Sequence, residues 1–293
     1  MGDLICQRHP ALKIARILRG LRFLRGVPGW RYLVAMLSPP TLEGEFCIIN
    51  DGVGFCGFLE SHIDREMYLF GGYESEHIEV FLRKMERQNR RTVIDVGANV
   101  GTHSIALSRY FEQVHAFEPN SGLWGRFENN VKVNRFSNTF LHKVGLGSSD
   151  GNLPFYNVGG NNLGLGTFSD RDQYDEPIAI AGTAEIVEGD SYLQSRGIER
   201  IDAVKIDVQG FEPLVLHGLR KTLLRWRPIV WLEIGQATMS EVSSRGDLEA
   251  LFPFRITTLL MVDERRFMRR KVRLQQVDAE HLSPGNYLVV PKN

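Results

Sequence analysis

Between residues 92 and 234 short apolar runs alternate with helix-like segments, and this alternation restricts the fold more than any other feature of the chain. Thr92–Val96 reads as a buried strand, Thr102–Phe111 as a helix, Gln113–Phe117 as a second strand, Leu123–Asn134 as a helix and Phe140–Val144 as a third strand. After a Gly- and Asn-rich interval at 145–170, Ala203–Val208 reads as a strand, Glu212–Leu224 as a helix and Ile229–Ile234 as another strand. Strands that return to one sheet through helices run parallel, with helices on both faces. From Phe254 to Val290 the pattern goes back to strand-like runs joined by turns, which predicts an antiparallel hairpin at one sheet edge. The expected fold is α/β, a mostly parallel sheet between helical layers.

Upstream, residues 44–60 predict a β-hairpin. Phe46-Cys47-Ile48-Ile49 and Val53-Gly54-Phe55-Cys56 flank Asn50-Asp51-Gly52, and Asp-Gly favours a two-residue turn. Asn50 then pairs with Val53, and Cys47 faces Cys56 in a non-hydrogen-bonded pair, the closer kind. A disulfide is within geometric reach, but reduced thiols are expected, because three cysteines in 293 residues make no secreted disulfide framework. Residues 75–90 read as an amphipathic helix with Ile78, Phe81, Leu82 and Met85 on one face.

Residues 1–37 carry Arg8, Lys13, Arg16, Arg19, Arg22, Arg25 and Arg31 against Asp3, with Leu12, Ile14, Ile17, Leu18 and Leu21 threaded between them. Such a basic amphipathic helix either packs on its own domain with its arginines solvated or makes peripheral contact with an acidic membrane surface. Residues 1–65 are therefore read as an N-terminal extension of helix and hairpin, and 66–293 as the main domain. Over the whole chain 35 Lys and Arg balance 35 Asp and Glu, which gives no basic excess for nucleic acid. The absence of a long apolar run argues against a transmembrane helix, and Arg16 to Arg25 interrupt any signal peptide, so a cytoplasmic location is expected.

The sharpest local signal is Val93-Ile94-Asp95-Val96-Gly97-Ala98-Asn99-Val100-Gly101-Thr102-His103, which joins the first strand to the first helix. In an open parallel sheet this is where a ligand sits. Gly97 and Gly101 allow a tight turn and close approach, and the helix start favours an anionic group such as a carboxylate. Asp95 can accept from an ammonium group. Gly-x-Gly-x-x-Gly, the dinucleotide pattern, is missing, which counts against a nicotinamide-dependent oxidoreductase. Glu118, in Phe117-Glu118-Pro119-Asn120, ends the second strand where a carboxylate is presented to ribose hydroxyls. Capping of the helix that follows is compatible with that role.

Taken together, Tyr73-Glu74, Val93–Ser104, Phe117–Asn120, Val144–Gly151 and Val204-Lys205-Ile206-Asp207-Val208-Gln209-Gly210-Phe211-Glu212 resemble the FkbM family of S-adenosylmethionine-dependent methyltransferases. The resemblance implies a class I methyltransferase fold, a Rossmann-like seven-stranded sheet of order 3-2-1-4-5-7-6 with strand seven antiparallel. It implies S-adenosyl-L-methionine as cofactor, held by Asp95, Gly97, Asn99, Gly101, Glu118 and Asp207. It also implies methylation of a hydroxyl oxygen on a small molecule or carbohydrate. Gln209 departs from the family, which commonly has Glu there.

In that fold Asp207 ends the fourth strand on the methyl side, where it can bond the acceptor hydroxyl or the cofactor's ammonium. Glu212 opens the next helix and Glu233 ends the next strand; with Asp207 they are the candidate catalytic carboxylates. Glu212 is equally suited to its helix dipole, and Lys205 to pairing with an acid. Asp207 and Glu233 make a poor metal site without a third ligand, so no metal is expected. His103 can serve as a base or as a packing residue, while His115 and His142 are read as structural. Gly159–Gly166 is either a lid or a surface loop, and Arg265–Arg273 either an anion site or a solvated hairpin. The rival from another class is a cofactor-binding, membrane-associated module without turnover.

Overall fold

The computed structural model describes residues 4–5, 17, 34, 44–158, 166–167, 178–266, 269–277 and 280–292. The helix expected within 1–37, the glycine loop up to Gly164 and part of the basic run therefore lie outside the described residues.

Strand β1 (Leu4–Ile5) pairs with β2 (Glu45–Asn50), which forms the predicted hairpin with β3 (Val53–Phe58). Asp51 and Gly52 both have positive φ, 50° and 80°, as a primed two-residue turn requires. Asn50 faces Val53 and Cys47 faces Cys56. Here the expectation of reduced thiols is corrected: Cys47 and Cys56 form a disulfide, their Cα atoms only 4.1 Å apart across the pair. Helix α1 (His62–Phe70) follows, capped by Ser61 and ended by Gly71 at φ 79°, and then α2 (Ser75–Arg83). Phe46, Ile48 and Phe55 of the hairpin pack with Met67 and Tyr68 of α1 and with Val100, Ile105 and Leu123 of the next segments. The hairpin thus packs against the turn and helices that follow the first two strands of the main sheet.

That sheet is built from β4 (Thr92–Val96), β5 (Gln113–Phe117) and β6 (Thr139–His142), with helices α3 (Thr102–Leu107) and α4 (Ser121–Asn134) between them. The third strand ends earlier than expected because the chain next turns into another sheet. There β7 (Gly145–Gly147), β8 (Gly151–Val158), β9 (Gly166–Thr167) and β10 (Ile178–Glu188) order as β7-β10-β8-β9. Much of the interval read as Gly- and Asn-rich is therefore a four-stranded sheet. Helix α5 (Gly189–Ser195) leads back to β11 (Ile201–Ile206). The single helix expected over 212–224 is two, α6 (Glu212–Gly218) and α7 (Arg220–Trp226). They part where Gly218 packs so closely on the Gly147 carbonyl that a Cβ would overlap it.

After β12 (Ile229–Ile234) and α8 (Arg245–Ala250), the long strands β13 (Ile256–Arg266) and β14 (Arg269–Gln276) form the expected edge hairpin, and β15 (Gly285–Pro291) inserts between β13 and β12. The main sheet reads β14-β13-β15-β12-β11-β4-β5-β6, with β15 antiparallel to both neighbours. This is the order 3-2-1-4-5-7-6 read from β6, with β14 added as an eighth strand. Ile94, Val96, Val204, Ile206, Val230 and Leu232 are buried at its centre, as strands covered on both faces must be. The turns after β4, β5, β11 and β12 consequently collect at one end of the sheet.

Candidate active site

The turn after β4 bends through three positive-φ residues, Gly97 (79°), Asn99 (54°) and Gly101 (89°). A Cβ at Gly97 would overlap the carbonyl oxygen of Asp207, and one at Gly101 would come within 2.9 Å of Phe127. Both glycines are thus required by backbone angle and by packing together. Glu118 ties this turn to the next: its Oε2 accepts from the Asn99 amide at 2.8 Å and its Oε1 from the Asn120 amide at 2.8 Å. Burial pushes its carboxyl up to about 7, the two amides opposing and the charges of Asp95 and Asp207 adding. A carboxylate has about four lone-pair sites, so two remain for a ligand's hydroxyls. Asn99 also accepts from the Val100 amide at 2.7 Å through its own side chain.

Lys205, 2% exposed, lies under the mouth of the site. Its Nζ is 3.7 Å from Asp95 Oδ1, 3.4 Å from Asp207 Oδ2 and 5.9 Å from the centre of the Trp231 ring. Burial alone would lower its pKa, but Asp207, Asp95, Glu233 and Glu74 together raise it, so it stays an ammonium. Asp95 is fully buried; Ser104 donates to its Oδ2 at 2.6 Å, while Oδ1 has no hydrogen-bond donor. The expected free ammonium acceptor is thus already paired with the chain's own lysine.

Asp207 is more open, its side chain a quarter exposed, and Gln209 donates to its Oδ1 at 2.9 Å. Gln209, at φ 53°, supplies a donor where a second carboxylate would repel. Burial works against the charge of Asp207, but Lys205, Gln209 and His103 outweigh it and hold the carboxyl below its ordinary value. Glu233 hydrogen-bonds Asp207 and is pushed the other way, by the charge of Asp207 and by burial, so it carries the shared proton. Asp207 and Glu233 meet as the sequence suggests.

Glu212 does not join them as a free carboxylate. Its Oε1 accepts from the Val208 amide at 3.0 Å, and its Oε2 from the Gly210 amide at 2.9 Å and the Thr238 hydroxyl at 2.6 Å. It is 1% exposed, fastened by two amides of the loop it closes and by the Thr238 hydroxyl from the segment after β12, which places it as a support for that loop.

Sequence reasoning undervalued a second row of residues. Glu74, in the left-handed region at φ 48° where α2 begins, reaches His103 Nε2 with its Oε2 at 3.0 Å. Asn286 donates to Glu74 Oε1 at 3.4 Å and accepts from Trp231 Nε1 at 2.7 Å. The His103 ring stands edge-on to Trp231 at 5.1 Å and to Tyr73 at 5.7 Å. The sequence signals were the Tyr73-Glu74 pair and His103 beside the glycine turn, far apart along the chain and with nothing to join them. His115 and His142 lie apart and contact each other at 3.0 Å; burial pushes both down to about 4, so they stay neutral. Among the described residues no group of three or more His, Cys, Asp or Glu could hold a metal ion, and no helix is long and apolar enough to cross a membrane.

A parallel sheet closed by a reversed strand, with acidic strand tips around a glycine turn, defines a class I methyltransferase architecture. Residues 95–268 match the model of the Methyltransferase FkbM domain, and the chain belongs to that family. It is 29% identical over 161 residues to the hexuronic acid methyltransferase AglP of Haloferax volcanii, covering 51% of this chain and 58% of that protein. It is 31% identical over 155 residues to methyltransferase sdnD of Sordaria araneosa, covering 43% and 60%. These matches span less than two thirds of either relative. Among solved structures, methyltransferase FkbM from Methylobacillus flagellatus aligns at a TM-score of 0.46 with 15% identity, over 77% of this chain and 52% of that one.

Proposed function

We propose that this chain is an S-adenosylmethionine-dependent methyltransferase that acts on a hydroxyl oxygen of a small molecule or sugar. The observation that carries it is the excess of carboxylates at the mouth. Asp95, Asp207, Glu74 and Glu233 surround the Lys205 ammonium, with Glu118 on the adjoining turn. Such a concentration of carboxylates suits a ligand with a sulfonium and an ammonium and repels a diphosphate. The unused lone pairs of Glu118 fit the same ligand.

When bound, the cofactor supplies a methyl group on a positively charged sulfur, an electrophile ready for attack. Glu118 accepts from the ribose hydroxyls. Gly97, Asn99 and Gly101 shape the turn beside it. Asp207, partly exposed and ionised, accepts a hydrogen bond from the acceptor hydroxyl or from the cofactor's ammonium. Glu233 donates its proton to Asp207 and keeps that carboxylate oriented. Glu212 is a positioning residue that holds the loop 207–210. The name of the Haloferax relative supports a carbohydrate acceptor.

Calorimetry with S-adenosylhomocysteine and with NAD tests the cofactor, and tritiated S-adenosylmethionine with methyl glucoside, methyl glucuronoside and catechol tests the acceptor. Binding of S-adenosylhomocysteine is expected to be at least about 1.4 kcal/mol, roughly tenfold, tighter than that of NAD. Tight NAD binding with no heat from S-adenosylhomocysteine refutes the proposal.

A further inference from the structure

Methylation of a hydroxyl needs an acceptor for its proton, and most groups at the mouth are unsuited to that task. Lys205 stays charged. Glu233 already holds a proton. Burial and the charges of Glu74, Asp207 and Glu233 push the Tyr73 phenol up, so it remains a donor. Asp207 is held ionised by Lys205 and Gln209, which makes it a weak base.

His103 is placed differently. Burial opposes the charge of Glu74, but its hydrogen bond to His103 and the neighbouring positive charge outweigh it and hold Glu74 below its ordinary value, ionised. An ionised carboxylate only accepts, so the 3.0 Å contact requires that His103 Nε2 donate. In the neutral ring Nδ1 is then the bare, basic nitrogen. Glu74 is fixed in turn, because Trp231 Nε1 is only a donor and sets the Asn286 amide, whose nitrogen faces Glu74. Trp231 and Tyr73 hold the ring edge-on from two sides. The carboxylate of Glu74 sits at a backbone angle unusual for its residue type, of the kind that accumulates at functional sites.

Resting on the proposed methyl transfer, we infer that His103 is the catalytic base for the acceptor hydroxyl and that Glu74, held by Asn286 and Trp231, is its positioning residue. The hydroxyl proton passes to His103 Nδ1 as the oxygen lone pair forms the new O–C bond. The methyl–sulfur bond breaks with its electron pair left on sulfur, and the imidazolium is stabilised by Glu74.

The test uses the full chain with 15N-labelled histidine and reads the imidazole tautomers by NMR, with and without S-adenosylhomocysteine, the His103 signals being assigned by their loss in His103→Gln. The expected result for the neutral ring is a protonated Nε2 and a bare Nδ1, with the preference weakened in Glu74→Gln. A protonated Nδ1 in the neutral ring overturns the inference, whatever the activity. In single turnover with the most reactive member of the acceptor panel, His103→Gln is expected to lose about 10²–10⁴-fold in rate. Its affinity for S-adenosylhomocysteine stays within a few-fold of wild type. A rate loss under tenfold overturns the inference as well. Failure of the wild type to bind S-adenosylhomocysteine instead counts against the methyltransferase proposal, and the tautomer measurement still decides the dyad.

Discussion

Glu118 offers a test in which one group drives two opposite pH dependences. In the free chain its carboxyl lies at about 7, raised from 4.5 by burial. Ribose hydroxyls donate far more strongly to it when it is ionised, so binding expels the proton. Affinity for S-adenosylhomocysteine should therefore rise about tenfold between pH 6 and pH 8. Stability of the free chain moves the other way. Because the folded value is raised, the fold favours the protonated form; that contribution is fully present below about 4.5 and is lost as pH rises through about 7. The loss is on the order of 3 kcal/mol. Glu118→Gln keeps the shape and does not titrate, so both pH dependences should flatten. Its amide also turns a donor toward one of the two backbone amides, Asn99 or Asn120, that Glu118 now serves. Replacing charge-assisted bonds to two hydroxyls by neutral ones costs about 2–3 kcal/mol at pH 8, a roughly 30- to 150-fold weaker complex. Calorimetry and urea denaturation across pH 5–8, wild type against variant, read both effects, and the comparison cancels the ligand's own titration. Wild-type affinity flat with pH, or a slope that persists in Glu118→Gln, refutes the assignment of this carboxylate to the ribose.

Three further outcomes are expected. Gly97→Ala pushes a methyl group into the Asp207 carbonyl at a φ of 79°, so a loss of at least about 2–3 kcal/mol of stability is expected in a thermal melt, with S-adenosylhomocysteine binding abolished. Asn130→Ala removes the acceptor for the Cys56 amide at 2.8 Å and the donor to the Val100 carbonyl at 3.1 Å; urea denaturation should show a loss of about 2–4 kcal/mol, and ligand affinity should fall because Val100 lies in the turn. Arg126→Met strips the buried Asp64 of its ion-pair partner, for a cost of about 3–5 kcal/mol at pH 7. Burial already raises the Asp64 carboxyl despite Arg126, so the variant's deficit should shrink as pH falls and the carboxyl protonates, measured by denaturation at pH 5 against pH 7.

The central sheet was legible because its strands bury both faces and so read as unbroken apolar runs bounded by turns. The hairpin was legible down to its register, because Asp51-Gly52 admits few alternatives. What escaped the sequence depended on contacts between distant segments. Strands β8 and β10 pair with each other, and β10 pairs with β7, across an interval whose glycines and asparagines read as loop. The break between α6 and α7 follows from the approach of Gly218 to Gly147, which no local pattern records. The disulfide is a similar case: the facing of Cys47 and Cys56 was predictable, and the bond between them was judged from cysteine count alone.

For the site, the sequence located carboxylates at strand ends but not what each one holds. Glu118, Glu212 and Glu233 look alike in a sequence, each at the end of a strand or the start of a helix. In the fold, Glu212 meets three donors from its own chain, Glu118 meets two and keeps lone pairs in reserve, and Glu233 shares a proton with Asp207. The number of donors already present separates a carboxylate that fastens a loop from one able to receive a ligand. The amides of Asn99, Asn120, Val208 and Gly210 are satisfied by buried carboxylates, which fasten these loops to the sheet ends. Glu118 does both jobs at once, and for that reason its protonation should be felt in stability and in affinity with opposite sign.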